Sequence, residues 1–353
     1  MGGKVATVWS YLSILKWKQG ERIALRELTA IQWKRIVPLI ELPAIDAAPD
    51  ADSLRVALPA YVAKIAKDLK NAIPEAKSVA VDVRWVAPGY KKQARLLSVI
   101  CKALQKTSER SLIPVVNELM LSAELSEFAA LDVFDEVALR IRTSAVSATQ
   151  IGPLIAGVAK EGLSKKRMHL VLDQYTIVGA NPTAQSAVIR PQLDAALACG
   201  CASVTLAGGS FPVNLIGIKQ GLLDIPRVEW MIWELTRTKS AYKTVCYGDY
   251  AVTNPGPLPD LDPTQINPSV AIRYAAMDFW RLYKAGGFKR GTPNQYRGLC
   301  KLLLTDSIYS GATFCYGDAC YNKAAQGFLG NGNPSSWRRD ATSHHLVFTA
   351  SQL

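Results

Sequence analysis

Residues 79–118 read VAVDVRWVAPGYKKQARLLSVICKALQKTSERSLIPVVNE and contain the repeating unit that decides the fold. A β-branched apolar run from Val79 to Trp85 opens the stretch, and a second run from Ile113 to Glu118 closes it. Between them, apolar residues recur at the spacing of one helix face, at positions 96, 97, 100 and 104. Because neighbouring parallel strands need such a crossover, the stretch predicts a strand, a covering helix and a parallel strand.

The same unit recurs along the chain. Short β-branched runs predict eight strands: Val8 to Lys16, Ile36 to Glu41, Val79 to Trp85, Ile113 to Glu118, Val137 to Arg142, His169 to Tyr175, Ser203 to Ala207 and Thr244 to Asp249. Eight units in 353 residues close most naturally into one α/β domain, a (β/α)8 barrel of the TIM type. An open doubly wound sheet is the alternative, but the turn after the first run lacks the G-x-G-x-x-G pattern that is usual there.

After the eighth run the strand–helix repeat ends. Residues 251–292 predict a proline-rich insertion and then a β-hairpin of Val270 to Tyr274 with Phe279 to Lys284. A helix from about Asn294 to Leu304 is expected to complete the last unit. Residues 310–353, with their repeated glycine and asparagine, predict an irregular C-terminal cap. The whole chain is therefore expected to be one domain.

Composition narrows the class of partner and the compartment. The 41 lysine and arginine residues exceed the 29 acidic residues, and the formal net charge of +12 favours polyanionic partners. The seven cysteines include no C-x-x-C pair, so they indicate reduced thiols, and no zinc site is expected. No run of 18 apolar residues occurs, and Met1 to Lys4 do not begin a signal segment. These features predict a cytoplasmic protein that does not enter a membrane.

Polar residues end nearly every predicted strand, and in a parallel barrel the loops after the strand ends build the site. These residues are Lys16, Lys18, Glu41, Asp82, Arg84, Asn117, Glu118, Arg140, Arg142, Asp173, Tyr247 and Asp249. Side chains two apart on a strand share a face. Small or apolar residues lie two positions before three of these charges: Ala80 before Asp82, Ala138 before Arg140 and Val171 before Asp173. This parity favours a charged ring that points into the barrel mouth.

Three interpretations of the ring stay open. Glu41, Asp82, Asp173 and Asp249 could hold Mg²⁺ or Mn²⁺ while Lys16, Arg84, Arg140, Arg142, Tyr247 and Arg338 bind a phosphate. Alternatively, Lys16 could be a Schiff-base lysine with Asp82 or Asp173 as its acid–base partner. In the third interpretation the acidic and basic groups only neutralise one another, because buried charges usually occur paired.

Two further groups are candidates for the site. Gly208, Gly209 and Ser210 follow the seventh predicted strand, where barrels often bind phosphate through backbone N–H groups, although a tight turn also requires glycine. His344 and His345 lie in the predicted cap and could fold over the mouth as acid–base groups. Together with Lys16, Glu41, Asp82, Asp173 and Asp249 they complete the set of catalytic candidates.

Several stretches are similar to a known family. Residues 11–28, YLSILKWKQGERIALREL, and 35–41, RIVPLIE, resemble the opening of the Beta protein family of phages and bacteria. YGDY at 247–250, IRY at 272–274 and GNPSSWR at 332–338, followed by His344 and His345, resemble its later landmarks. The resemblance spans almost the whole chain and implies a role in phage–host conflict. It implies no catalytic assignment.

Two functions are therefore expected. The first is binding of a phosphate-bearing ligand, a nucleotide or nucleic acid, with cleavage of a phosphodiester by a divalent metal ion as a further step. The second is a non-catalytic sensor or inhibitor that contacts a phage or host protein through an apolar or basic outer surface around Trp280, Phe288 and Lys289.

Overall fold

A computed structural model provides the structure of the protein. It describes residues 7, 9–118, 120, 131–257, 267–289, 291 and 293–353. Three predicted features therefore lie wholly or partly outside the described residues: the segment Met1 to Lys4, Val8 at the start of the first run, and residues 258–266 of the proline-rich insertion.

The described strands confirm the barrel. Eight parallel strands close in the order β1 to β7 and then β9, which pairs with both β7 and β1. They are β1 Tyr11–Leu15, β2 Ile36–Glu41, β3 Ser78–Asp82, β4 Ser111–Asn117, β5 Val137–Arg142, β6 Met168–Thr176, β7 Ser203–Gly209 and β9 Cys246–Asp249. The helices between them are α1 Gln19–Arg26, α2 Ala51–Ala72, α3 Gln93–Ser108, α4 Ala148–Lys160, α5 Pro182–Ala198 and α6 Val228–Arg237.

The alternation of residues along each strand separates two cores. One core fills the barrel, and Leu12, Leu39, Ala80, Ala138 and Val171 belong to it. The residues between them face outward and pack with the apolar faces of the helices in a second, larger core. Asp82, Arg140 and Asp173 stand two positions beyond three of the inner residues, so the predicted parity is confirmed for these three strands.

A small antiparallel sheet is added to the barrel. The predicted hairpin is present as β10 Ser269–Ala275 and β11 Phe279–Gly287, and β11 also pairs with β8, Gly221–Pro226. The sequence analysis did not identify β8, which is inserted between β7 and α6. Its pattern carries no buried face, since Leu222 and Leu223 are 60% and 43% exposed.

The C-terminal region differs from the prediction in two ways. Residues 310–353 are mainly helical rather than irregular, with α8 Tyr316–Gln326 and α9 Pro334–Gln352. Three of their five glycines, Gly327, Gly330 and Gly332, lie in the turn between these helices, where the Asn333 side chain accepts hydrogen bonds from two N–H groups in the first turn of α9. The helix that packs on α1 and β1 is α9, whereas the predicted helix, α7 Gln295–Thr305, packs on the small sheet and α8.

A physical cause explains why α9 has no helical signature in the sequence. The barrel covers one side of it and the small sheet covers another, so polar residues such as Thr342, Ser343 and His345 are as buried as its apolar ones. A helix that is covered on several sides shows little amphipathic pattern. Within the described residues, no helix is long and apolar enough to cross a membrane.

Candidate functional site at the barrel mouth

Arg140 occupies the centre of the barrel mouth. Its Nη1 donates to Glu41 Oε1 at 2.8 Å and to Asp82 Oδ2 at 2.9 Å, and its Nε donates to Asp173 Oδ2 at 2.9 Å. Tyr250, just beyond β9, donates from its hydroxyl to the same Asp173 oxygen at 2.6 Å. Arg140 and the three carboxylates are at most 1% exposed. The mouth is therefore closed at this depth by one guanidinium and three acids from different strands.

Two further cations balance the charge of this cluster. Arg84 Nε donates to Asp82 Oδ2 at 3.0 Å, and Lys16 Nζ lies 3.4 Å from Glu41 Oε2. Three cationic groups thus face three carboxylates. Burial raises the pKa of Glu41, but the charges of Arg140 and Lys16 outweigh it and the pKa is lowered. The cluster is a neutral, paired network, as the structural interpretation of the ring requires.

The four predicted metal ligands do not all meet. The structure brings Glu41, Asp82 and Asp173 together, but the cation that they contact is the guanidinium of Arg140. Asp249 lies elsewhere, because β9 has the opposite parity. Gly248 faces the barrel interior, where an added Cβ would lie 2.9 Å from Ala207 Cβ.

Tyr247 and Asp249 consequently point outward, which corrects their expected place in the mouth. Asp249 Oδ2 lies 2.7 Å from His345 Nε2, and Asp249 Oδ1 accepts the Tyr11 hydroxyl at 2.6 Å. Trp280 donates to His345 Nδ1 at 3.4 Å, which leaves the hydrogen on Nε2 and makes the imidazole neutral. Burial lowers the pKa of His345. This buried cluster ties α9 and the small sheet to β9.

His344 and the glycines of the predicted phosphate loop also contact other parts of the chain. His344 contacts Asp318 and the carbonyl of Ala275 in the C-terminal region. Gly208 and Gly209 belong to β7, and an added Cβ on Gly209 would lie 2.7 Å from Pro255. Gly209 therefore permits close packing of the chain after β9, whereas an added Cβ on Gly208 would lie 3.0 Å from Ile177 Cδ1.

Ser210, the third member of the predicted phosphate loop, already binds an anion of the protein itself. Its N–H and hydroxyl donate to Glu229 Oε2 at 3.1 and 2.5 Å. Burial raises the pKa of Glu229 to about 7. The carboxylate of Glu229 thus takes the position that the sequence analysis assigned to a phosphate.

A basic pocket lies beside the paired network. Its volume is about 50 Å³, and four cationic residues line it: Lys16, Lys18, Arg273 and Arg338. Within the described residues, no carboxylate forms an ion pair with Lys18, Arg273 or Arg338. Burial and the charge of Arg338 lower the pKa of Lys18 to about 8, and the same two causes lower the pKa of Arg273. Burial raises the pKa of Glu21, and the charges of Arg338 and Lys18 oppose this rise.

An apolar cavity adjoins the basic pocket. It has a volume of about 330 Å³ and shares Lys16, Lys18 and Pro257 with that pocket. Its other lining residues are Trp17, Glu41, Leu42, Pro43, Ala44, Trp85 and Pro88. A larger cavity of about 690 Å³ shares Trp85 and Pro88 with it and is also lined by Arg84, Glu118 and Arg142. The mouth therefore offers a cationic end, an aromatic middle and a rim of mixed charge.

Backbone conformation at the mouth is unusual in three places. Trp17 and Ala251 follow the ends of β1 and β9, Tyr175 is the penultimate residue of β6, and the φ angles of Trp17, Tyr175 and Ala251 are 54°, 59° and 47°. Residues other than glycine rarely adopt this left-handed region, and such strain clusters at functional sites. Tyr175 also carries the guanidinium of Arg142 over its ring, 4.1 Å from the centroid.

Some residues of the site were missed in the sequence. Arg273 lies in the hairpin, and no sequence pattern indicates that the hairpin folds over the barrel. Tyr250 follows the last strand, where its parity could have been recognised from Gly248 facing inward. Of the residues predicted to meet at one mouth, Lys16 lies beside Glu41 and also lines the pocket with Arg338, whereas Asp249, His344 and His345 belong to other clusters.

Comparison with known proteins adds a family and one similar structure. A family model described as Beta protein matches residues 11–351. No curated protein matches the chain. Among solved structures, the X-ray structure of the Paramecium bursaria Chlorella virus arginine decarboxylase bound to agmatine is similar, with 11% identity over 80% of this chain and 91% of that chain. The TM-score is 0.35.

Proposed function

The chain belongs to the Beta protein family, and we propose that it binds a phosphate-bearing ligand, a nucleotide or nucleic acid, at the mouth of its barrel. The observation that carries the proposal is the basic pocket. Lys18, Arg273 and Arg338 converge there without an ion-pair partner among the described carboxylates. Like charges brought together in a partly buried site are unfavourable unless an anion neutralises them.

The chemistry of the donors favours phosphate. Two guanidinium groups offer planar pairs of N–H donors that match phosphate oxygens, and Lys18 adds a point charge. Arg338 also has a buried Nε without a hydrogen-bond partner among the described groups. A pocket of about 50 Å³ suits a compact anion rather than a large group.

The adjoining cavity suggests what the phosphate is attached to. Its volume of about 330 Å³ falls in the range of small-molecule sites. Trp85 lines it and has an indole N–H without a partner among the described groups. A planar base could stack on the indole while its phosphate reaches the basic pocket, which is the arrangement of a nucleotide.

Binding can be measured by calorimetry with the full chain and three probes: inorganic phosphate, a mononucleotide and a short single-stranded oligonucleotide. Arg338→Gln should weaken binding by about ten-fold or more, because a hydrogen bond to a charged group contributes roughly 1.5–3 kcal/mol. Arg55→Gln, at a side chain that is 81% exposed, is the matched control and should have no effect. Equal affinity in wild type and Arg338→Gln would refute the proposal.

Phosphodiester hydrolysis with Mg²⁺ or Mn²⁺ stays a prediction. Glu41, Asp82 and Asp173 could ligate such an ion only if it displaced the guanidinium of Arg140. Electron paramagnetic resonance of Mn²⁺ titrated into the wild-type protein tests this directly. A bound Mn²⁺ signal that is lost in Asp82→Asn would support hydrolysis, and free Mn²⁺ throughout would contradict it.

A non-catalytic sensor or inhibitor is the second candidate function, and the fully paired network at the mouth favours it. The partner surface expected around Trp280 is not available there, because Trp280 is 1% exposed and packs against Phe211. Leu222 and Leu223 on the outer edge of the small sheet are exposed instead. If a phage or host protein binds at that edge, Leu222→Ser should abolish biological activity while Arg338→Gln preserves it. The opposite result would favour ligand binding at the mouth.

A further inference from the structure

We propose that Cys315, Asp318 and His344 form a three-ligand binding site for a transition-metal ion of the Zn²⁺ type. The three residues lie outside the barrel mouth, where the start of α8 meets the middle of α9 and the end of β10. Asp318 and His344 are fully buried and Cys315 is 7% exposed. Their ligand atoms, one sulfur, one oxygen and one nitrogen, all lie within 4.8 Å of one another.

The distances show how closely the three atoms converge. Asp318 Oδ2 lies 2.9 Å from Cys315 Sγ and 2.9 Å from His344 Nδ1. Ligands around a tetrahedral zinc ion are held at about 2.0–2.3 Å from the metal, so ligand atoms lie somewhat more than 3 Å apart. The observed cluster therefore needs only a small expansion to surround an ion.

Each ligand is held by a second group on its far side. His344 Nε2 lies 3.0 Å from the carbonyl oxygen of Ala275, which can only accept, so Nε2 carries a hydrogen. Nδ1 faces Asp318 Oδ2 at 2.9 Å, and an ion that displaces the proton between these two atoms would receive the lone pair of Nδ1. Asp318 Oδ1 accepts the Tyr274 hydroxyl at 2.7 Å, which leaves Oδ2 for the cluster. Such outer partners orient the ligands of metal sites in the same way.

The sulfur of Cys315 also has hydrogen-bond donors around it. The backbone N–H of Asp318 points to Cys315 Sγ at 3.4 Å, and the Ser343 hydroxyl lies 3.7 Å from it. The His344 ring is stacked between aromatic neighbours, with the Tyr274 ring centroid at 3.7 Å and that of Phe348 at 5.6 Å. The ligand set is therefore fixed before any ion binds.

Electrostatics explains why a cation suits this place. With Nε2 protonated, the inner faces of the imidazole, the carboxylate and a thiolate would present only lone pairs to one another. Either protons shared among them or one cation must separate them. A divalent ion would neutralise the thiolate and carboxylate together in this buried cluster.

The donor set selects the class of ion. Sulfur with imidazole favours Zn²⁺ and chemically similar ions over Mg²⁺ or Ca²⁺, which prefer oxygen ligands alone. The sequence analysis did not expect zinc because it looked for paired cysteines. Here the ligands follow a C-x-x-D pattern at 315–318 and the histidine comes 26 residues later, so only the packing of α9 on α8 assembles them.

Cobalt substitution tests the site in the full-length protein. After dialysis against a chelator, Co²⁺ is titrated and absorbance is recorded. We expect one Co²⁺ per chain, a near-ultraviolet band from sulfur-to-cobalt charge transfer, and displacement by Zn²⁺. Tyr274→Phe removes the hydroxyl that donates to Asp318 and that accepts the Ser310 N–H at 2.9 Å, and it should weaken binding by about 10–100-fold, because such outer partners orient metal ligands.

Cys315→Ser should abolish the charge-transfer band, whereas Cys320→Ser, at a buried cysteine on the same helix, should preserve it. Zn²⁺ should raise the melting temperature of wild type and of Cys320→Ser but not of Cys315→Ser. A wild-type protein that binds no Co²⁺, or a band that survives in Cys315→Ser, would overturn the proposal. The wild-type titration decides the matter even if the cysteine variant fails to fold.

Discussion

Replacing Arg140 with methionine isolates the contribution of the paired network at the barrel mouth. The change removes a fully buried guanidinium but keeps a long apolar side chain. Lys16 and Arg84 remain as partners of Glu41 and Asp82. One negative charge loses its balancing cation.

The size of the effect follows from that count. Asp173 keeps only neutral donors, the hydroxyl of Tyr250 at 2.6 Å and the N–H of Tyr175 at 2.8 Å. Leaving one buried charge unpaired costs about 3–5 kcal/mol. This is a large share of the roughly 5–15 kcal/mol by which folded domains are stable. We therefore expect a severe loss of stability in Arg140→Met.

Urea denaturation followed by tryptophan fluorescence and circular dichroism provides the measurement. Arg55→Met makes the same chemical change at a side chain that is 81% exposed and 3.6 Å from Asp52. Its free energy of unfolding should stay within about 0.5 kcal/mol of wild type. The comparison separates loss of the network from loss of an arginine.

The difference in the free energy of unfolding between wild type and Arg140→Met should also depend on pH. The pKa of Glu41 is lowered in the folded protein, since the pairing outweighs burial, so its contribution to stability is present above the unfolded value of about 4.3 and is lost as pH falls through the lower folded value. In Arg140→Met that pKa should rise. The difference in the free energy of unfolding between wild type and variant should therefore become smaller as pH falls from 7 toward 4. A loss below about 1 kcal/mol at pH 7, or one that does not vary with pH, would refute the reasoning.

Three further results are expected. Gly317→Ala should lower the melting temperature, because the new Cβ would clash with the Asp340 carbonyl oxygen and force α8 away from α9. Gly152→Ala, at an open position within α4, is the control and should raise the melting temperature slightly. Stability should fall as pH rises from about 4.3 to about 7, because Glu229 is then ionised in the unfolded chain while burial keeps it protonated in the folded protein, where its pKa is raised to about 7. Glu229→Gln should flatten this part of the profile in pH-dependent thermal melts, and an unchanged slope would contradict the assignment. Phosphate affinity measured by calorimetry should decline as pH rises through about 8, where Lys18 loses its charge, and Lys18→Gln should remove that decline.

The repeated pattern of apolar residues in the sequence was sufficient to predict the barrel. In each unit, β-branched residues indicate the strand and the spacing of apolar residues indicates the helix, and both patterns lie within a short stretch of neighbouring residues. The hairpin of β10 and β11 was predicted for the same reason. β8 and α9 were missed because neither has one clear apolar face. Leu222 in β8 is exposed, while His344 and His345 in α9 are buried.

The paired core of the mouth was also within reach of the sequence. Asp82, Arg140 and Asp173 follow inward-facing residues by two positions, and strand parity carries them to the same place. Parity failed only in β9, where Gly248 takes the inward position and turns Asp249 to the outer face. One glycine thus decided whether a carboxylate joined the mouth.

By itself, then, the sequence determined the alternation of strands and helices, the closure of eight strands and the inward faces of most strand ends, because periodicity and side-chain direction are properties of neighbouring residues. Tertiary structure alone decided which groups from outside the barrel strands come together. Arg273 from the hairpin and Arg338 from α9 reach the pocket of Lys18, and Cys315 meets His344, through packing between segments far apart in the chain. Such contacts depend on how whole elements dock, and no local pattern of residues encodes the docking.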